Sequence, residues 1–162
     1  MDSYSLIRAA EAVPEEEVRA AMEKLSGIEK LCFEGTNVLL LELPFSCFKE
    51  EYCDSVACMI DMGIDVILAH ADRYPHENIE SMINAGVSKI QLNASSLSGF
   101  IKNKHAYDWM SRGLVVALGS DIHASDEKAY KNFDKAKSKI GEHLDFIKNA
   151  SDNIWDKIHG RH

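Results

Sequence analysis

Four side chains that can bind a divalent metal follow short apolar runs in this sequence. Glu42 lies in LLLELP, His70 in VILAHADRYP, and Asp121 and His123 in ALGSDIH. Two imidazoles and two carboxylates suit Mn²⁺, Fe²⁺ or Zn²⁺, because this set is harder than a thiolate site and softer than an all-oxygen Mg²⁺ or Ca²⁺ site. We therefore expect these four residues to converge on one divalent-metal site.

Each of these signals also has a structural interpretation. Glu42 or His70 alone could be a hydrogen-bonded or surface residue, and Asp121 could cap a following helix. However, an ionised carboxylate within the apolar run around Glu42 is costly unless a cation or hydrogen bonds compensate it. Asp121 and His123 are two residues apart, so they project to the same side of an extended segment. The combination favours the metal site.

Three further polar residues near these segments could contact a substrate. Arg73 is placed to clamp a phosphate with its planar guanidinium, or to form a surface salt bridge. Lys128 could supply a second cation, or be a solvated lysine on a helix. Asn93, in IQLNASS, could bind a metal or a substrate. No cysteine is followed six residues later by arginine, which excludes a cysteine-based phosphatase.

The composition excludes several classes of partner. The formal charge is −8, without a basic and aromatic stripe, so we expect no nucleic-acid partner. No apolar run is long enough to span a bilayer and no signal peptide is evident, so we expect no membrane insertion. The four cysteines include no Cys-x-x-Cys pair. That usage suits a reducing compartment, so we expect the cytoplasm.

The candidate ligands must be positioned by alternating strands and helices. Short aliphatic runs predict four strands, and amphipathic stretches predict the helices between and after them. The predicted strands are Asn37–Leu43, Asp65–Ala69, Ser88–Leu92 and Leu114–Leu118. The predicted helices are Lys49–Met62, His76–Asn84, Ile101–Ser111, Glu127–Ile140, Leu144–Ala150 and Asn153–His159. Four β-α units in succession predict a parallel sheet, either doubly wound or part of a β/α barrel.

In such sheets the reactive groups gather at the carboxyl ends of the strands. The residues at the predicted strand ends are Glu42, His70, Asn93, Asp121 and His123. Residues 1–34 differ and predict two extra helices, around Leu6–Ala12 and Glu15–Leu25, which could cover an open side of the sheet. The length suits one domain. We expect residues 1–162 to form a single domain, with a helical segment 1–34 and a barrel-like part 35–162.

The segments LLLELP, VILAHADRYP, IQLNASSLSGF and LVVALGSDIH, in this order, resemble the PHP (polymerase and histidinol phosphatase) superfamily. They are most similar to its bacterial tyrosine phosphatases of capsule and exopolysaccharide operons. The likeness covers about Asn37–Ser125, with a weaker helical similarity to Ile158. It implies an α/β fold that is part of a distorted β/α barrel.

The resemblance also implies a function and residue roles. The family hydrolyses phosphomonoesters, such as phosphotyrosine on a protein kinase, with two or three metal ions, often manganese. Glu42 would match a carboxylate that bridges two metals, His70 and His123 the later histidine ligands, and Asp121 the aspartate ligand. Arg73 would match the arginine beside the substrate phosphate.

The sequence departs from this family at its start. The family begins with a His-x-His strand, and the first histidine here is His70. We therefore expect an N-terminally truncated barrel, lacking about a third of its strands and up to half of its ligands. Its exposed edges could pair with the N-terminal helices, a second copy or another polypeptide. The alternative to an active phosphatase is an inactive domain that binds or regulates a partner.

Overall fold

The computed structural model describes residues 13–14, 28–44, 48–99, 103–119 and 127–160. Asp121 and His123 lie outside these ranges, as does most of the segment predicted as two N-terminal helices. In that segment the structure describes a two-residue strand and the 3₁₀ helix Ile28–Leu31. The expected helices around Leu6–Ala12 and Glu15–Leu25 therefore stay predictions.

Five strands form one parallel sheet. They are β1 (Val13–Pro14), β2 (Val38–Glu42), β3 (Asp65–Leu68), β4 (Lys89–Asn93) and β5 (Val115–Gly119). The last four are the predicted strands, with no bound shifted by more than one residue. Residues on both faces of these strands are buried, which explains why their sequences are continuously apolar instead of alternating with polar residues.

The order of the strands decides between the two predicted architectures. The sheet order is β1-β2-β3-β4-β5, so each strand pairs with its neighbours along the chain. A doubly wound sheet would reverse direction at a switch point, whereas a β/α barrel adds strands in chain order. The described part of the chain is therefore an arc of a β/α barrel, as the resemblance implied.

Six helices accompany these strands in the described ranges. They are α1 (Glu51–Asp61), α2 (His76–Asn84), α3 (Ala94–Ser98), α4 (Lys104–Ser111), α5 (Glu127–Ile140) and α6 (His143–Ile158). Helices α1 and α2 lie at the predicted positions, and α5 has the predicted bounds. None of the helices described is long and apolar enough to cross a membrane.

Three predictions about helices were wrong in detail. The short helix α3 was missed, because its five residues are too few to show a helical period. Helix α4 begins later than predicted because the Asn103 side chain caps it, accepting the Ala106 N–H at 3.2 Å. The two predicted C-terminal helices are one continuous helix, α6. Ser151 does not interrupt α6, because its hydroxyl bonds to the carbonyl oxygen of Val116 in β5 at 2.6 Å instead of to its own helix.

The two faces of the sheet carry separate apolar clusters. Leu39, Leu68 and Ile90 belong to the larger cluster with residues of α1, α2, α4 and α5. The other face, with Leu40 and Ile67, packs with Ile154 of α6. Helix α6 also contributes Ile147 to the larger cluster, so it lies along β5 and supports both faces of this last strand.

A β-bulge interrupts the pairing of β4 with β5. Ile90 pairs with Val115, but the next residue, Gln91, pairs with Ala117, which leaves Val116 as the extra residue. The carbonyl that accepts the Ser151 hydroxyl belongs to this bulged residue, so its hydrogen bond comes from α6. Bulges near functional sites often redirect the strand end, and this one lies just before Gly119.

Candidate metal centre

Polar residues lie together at the carboxyl edge of the sheet. Glu42 ends β2, His70 follows β3, and Asn93 ends β4. Asn93 is paired with Gly119, the last residue of β5. The parallel register therefore brings the predicted residues of three different strands to one edge, and the segment with Asp121 and His123 continues from the fourth.

His70 has an unusual backbone conformation. Its φ of 50° and ψ of 39° place it in the left-handed region, and it is the one non-glycine residue with positive φ in the described part of the chain. This conformation costs on the order of 1–3 kcal/mol for a residue with a side chain. The His70 N–H donates to Gln91 Oε1 at 2.9 Å. A hydrogen bond from a neighbouring strand thus supports the strained residue.

The His70 ring is oriented by the amide side chain of Asn93. Nδ1 of His70 lies 2.8 Å from Asn93 Oδ1. Because a carboxamide oxygen only accepts, Nδ1 is the donor in this contact, and Nε2 is the ring nitrogen left for a metal. In metal-binding histidines, the ring nitrogen that does not bind the metal usually donates a hydrogen bond to a partner of this kind. His70 therefore has the tautomer that a metal ligand requires.

Asp72, which was not predicted from the sequence, holds the Asn93 backbone in place. Its Oδ1 accepts the Asn93 backbone N–H at 2.7 Å. Burial raises the pKa of Asp72, while hydrogen bonds from Asn93, Ser96 and its own backbone act in the opposite direction. A carboxylate two residues after a candidate ligand was the available signal in the sequence. In the structure, the Asp72 carboxylate contacts Asn93, and Asn93 in turn contacts His70.

Tyr74 connects the turn after β3 to the end of β2. Its hydroxyl donates to the Leu43 carbonyl at 2.7 Å, and the residue is 8% exposed. Burial raises the pKa of Tyr74, and the nearby Glu42 carboxylate raises it further. The phenol therefore stays protonated and acts as a hydrogen-bond donor beside Glu42. This role was not predicted from the sequence.

The other predicted site residues are placed less completely. Arg73 ends the 3₁₀ turn Ala71–Arg73 and is exposed at the same edge as His70. Lys128 lies in the first turn of α5, and its side chain is outside what the structure describes. Among the described residues, no three His, Cys, Asp or Glu side chains form a group that could hold a metal. The four-residue metal site stays a prediction.

The donors described do fit a divalent cation. Glu42, at the end of β2, is half-buried, so its carboxylate is accessible at the sheet edge. His70 presents Nε2, the ring nitrogen that does not contact Asn93. One carboxylate and one imidazole from adjacent strands are a partial ligand set of the type that Mn²⁺, Fe²⁺ and Zn²⁺ share.

Comparison with known structures supports the fold. The chain matches a chain from the crystal structures of YwqE from Bacillus subtilis and CpsB from Streptococcus pneumoniae, which are described as unique metal-dependent tyrosine phosphatases. The TM-score is 0.65 at 16% sequence identity, and the match covers 90% of this chain and 61% of that chain. The chain thus spans less than two thirds of this structural relative. No curated protein matches the sequence.

The family is decided by a match to a sequence model. The model for capsular polysaccharide synthesis proteins of the CpsB/CapC type matches residues 6–153. This match begins well before Asn37, so the similarity extends further toward the N-terminus than the motifs alone indicated. With most of its length matched, the chain belongs to the CpsB/CapC family of capsular polysaccharide synthesis proteins.

Proposed function

We propose that this chain is a metal-dependent phosphomonoesterase, acting as a protein-tyrosine phosphatase in capsule or exopolysaccharide biosynthesis. The observation that carries the proposal is the Nδ1 hydrogen bond of His70 to Asn93, which leaves Nε2 free to bind a metal at the carboxyl edge of the sheet. Membership of the CpsB/CapC family and the shared fold of described metal-dependent tyrosine phosphatases support it.

In this proposal Glu42, His70, Asp121 and His123 hold the metal, with Mn²⁺ as the first candidate and Fe²⁺ or Zn²⁺ as alternatives. A divalent cation in such a site lowers the pKa of a bound water and neutralises charge on the phosphoryl group. The neighbours of the ligands fix them in place. Asn93 holds the His70 ring and Tyr74 anchors the backbone next to Glu42.

Arg73 is the proposed catalytic contact to the phosphate. Arg73 is an exposed residue, and a guanidinium can bind two phosphoryl oxygens through parallel N–H donors. Its positive charge opposes the charge that the substrate brings. Lys128 is the proposed second cation. Asn93 is only 2% exposed and its Oδ1 contacts His70, so its burial favours orientation of the ligand over the substrate contact predicted from the sequence.

The proposed partner is a phosphotyrosine protein, such as a kinase, in the cytoplasm. The net charge of −8 opposes the approach of a phosphorylated segment, so local cations at the sheet edge must provide the attraction. A homo-oligomer is proposed as a way to cover the edges of the arc of strands. Neither nucleic acid nor membrane insertion is part of the proposal.

The first test measures metal content and turnover together. The protein is purified without chelator, bound Mn, Fe and Zn are quantified, and hydrolysis of an aryl phosphate and of a phosphotyrosine peptide is followed. We expect stoichiometric metal in the wild type. His70→Ala and His123→Ala should lose metal and reduce kcat/KM by at least about 100-fold, because each removes a ligand.

Two further variants sharpen this test. Arg73→Ala should retain the metal but raise KM or lower kcat, since it removes a phosphate contact. His159→Ala is the matched control, because this histidine is exposed at the end of α6 and bonds only locally to the Trp155 carbonyl. It should change neither metal content nor turnover. If the wild-type protein binds metal but hydrolyses neither substrate, the proposed phosphatase activity is wrong.

The alternative function is a non-catalytic domain that binds or regulates a partner. The sequence feature that favours it is the first histidine, His70: the His-x-His ligands of the resembling family have no counterpart in this sequence. In that case the purified protein would be free of metal and inert toward both phosphate substrates. The same measurements therefore separate the two functions.

A further inference from the structure

We propose that Gln91 is a positioning residue that holds His70 in its left-handed conformation, and that Gly119 is required because the Gln91 carboxamide occupies the space of a side chain there. The inference rests on the proposed role of His70 as a metal ligand. It gives a role to two residues, from β4 and β5, that lie in the motif segments but have no role assigned there or by the comparisons.

The first observation concerns the His70 backbone. The residue is strained, and its N–H has one described acceptor, Oε1 of Gln91 at 2.9 Å. Gln91 is 3% exposed, so the acceptor of this hydrogen bond is buried, while His70 itself is partly buried. A left-handed conformation at a functional site persists only where its surroundings fix it. Gln91 fixes the backbone, as Asn93 fixes the ring.

The second observation concerns Gly119. A Cβ built on this residue would lie 2.0 Å from Gln91 Nε2 and 3.1 Å from Gln91 Cδ. Gly119 does not need glycine for a positive φ, because it is absent from the residues with that conformation. The glycine is therefore explained by the close approach of the carboxamide. Any side chain at 119 would turn the amide and withdraw Oε1 from His70.

The geometry also separates this role from general packing. Gln91 is one of only three buried polar residues in the described part of the chain, with Asn93 and Ser151. Gln91 and Asn93 both contact His70, whereas Ser151 bonds to Val116 on the α6 side of β5. Ser151 thus provides a control in which one buried hydrogen bond is removed without touching His70.

The test measures Mn²⁺ affinity by calorimetry in the full chain, with unfolding in urea followed in parallel. Gln91→Met keeps the length of the side chain but removes the acceptor. It should weaken Mn²⁺ binding by about 10-fold or more, as expected when a partner of a ligand is lost. Ser151→Ala should lower stability to a similar extent while leaving the affinity within about 2-fold.

A double-mutant cycle tests the contact with Gly119. Gly119→Ala should weaken Mn²⁺ binding by about 10-fold in the wild type. In a Gln91→Ala background, where the space is vacant, the same substitution should change the affinity by less than about 2-fold. Equal effects of Gly119→Ala in both backgrounds would overturn the proposed contact.

A metal-free measurement keeps the inference separate from the proposed function. In Gln91→Met, hydrogen exchange at the His70 amide should accelerate relative to the Ala69 amide, which bonds to the Leu41 carbonyl at 2.8 Å. If His70→Ala leaves Mn²⁺ affinity unchanged, the proposed metal site is wrong. If His70→Ala weakens binding but Gln91→Met alters neither affinity nor exchange, the positioning role alone is refuted.

Discussion

At the scale of single residues, the site depends on side chains that hold other side chains. His70 is strained in its backbone and restricted in its ring, and its two supports, Gln91 and Asn93, come from the same strand. They are two residues apart on β4, so both project to the same side of the sheet. One strand therefore fixes both the main chain and the imidazole of a neighbouring strand's residue.

Tyr74→Phe tests the anchor beside Glu42. The substitution leaves the Leu43 carbonyl without its described partner in a buried position, which should lower the free energy of unfolding by about 1–2 kcal/mol. Tyr107→Phe is the matched control, because its hydroxyl bonds to the Lys139 carbonyl at an exposed position. It should cost less than about 0.5 kcal/mol. Urea unfolding measures both, and equal losses would contradict the anchoring role.

Sequence reasoning could identify the candidate ligands but not their supports. Glu42 and His70 stand out because each is a polar residue at the end of an apolar run. Gln91 and Tyr74 give no such signal, and Asp72 gives only its closeness to His70 in the sequence. The importance of all three comes from contacts across strands and from the left-handed backbone of His70. A positive φ at a histidine depends on tertiary contacts that a local pattern does not contain.

At the scale of elements, the helices differ from their predicted bounds where tertiary contacts decide. The sequence predicted a break between two helices at Ser151 and Asp152. The helix continues there, and the Ser151 hydroxyl donates a hydrogen bond to the carbonyl of the bulged residue Val116. Long periodic segments such as α5 were predicted correctly because their apolar spacing is local information. Helix α3 has five residues, too few to show a period.

Glu80 joins α2 to α4 and offers a test at this scale. Its Oε1 accepts Trp109 Nε1–H at 2.8 Å and Arg112 Nη1–H at 2.7 Å. Glu80→Ala should reduce the free energy of unfolding by about 1–3 kcal/mol, because Trp109 is 2% exposed and loses the described acceptor of its N–H.

The control for Glu80 uses the same arginine. Asp108→Ala removes the other carboxylate beside Arg112, an exposed pair within one helix at 3.2 Å. Such pairs contribute less than about 0.5 kcal/mol. Thermal or urea unfolding compares the two variants. A loss as large for Asp108→Ala as for Glu80→Ala would show that the contact between helices is no stronger than a surface pair.

At the scale of the whole molecule, the strand order explains why separate motifs can form one site. Neighbours in sequence are neighbours in the sheet, so each successive strand adds one polar end residue to the same edge. The alternation of apolar runs and amphipathic stretches was enough to predict the parallel strands, and the family resemblance indicated the barrel. The two apolar clusters pack on the two faces of this one sheet, which is consistent with a single domain. That this domain extends over residues 1–162 stays a prediction.

The opposite edge of the sheet carries an ion cluster that joins three elements. Asp65 begins β3 and pairs with Lys89 of β4 at 2.5 Å and with Lys157 of α6 at 3.2 Å. Burial acts to raise the pKa of Asp65, but hydrogen bonds and charge from Lys89 and then Lys157 outweigh it and lower the pKa below its ordinary value. The folded protein therefore favours the ionised carboxylate.

This cluster predicts how stability changes with pH. Because the pKa of Asp65 is lower in the folded state, its contribution is present above the unfolded pKa of about 3.9 and is lost as pH falls through the folded value. Asp65→Asn should cost about 1–3 kcal/mol at pH 7. The difference from wild type should shrink as urea unfolding is repeated from pH 5 down to pH 2.5, and Lys89→Met should show the same trend. A difference that stays constant over this range would mean that the charge of Asp65 does not hold β3, β4 and α6 together.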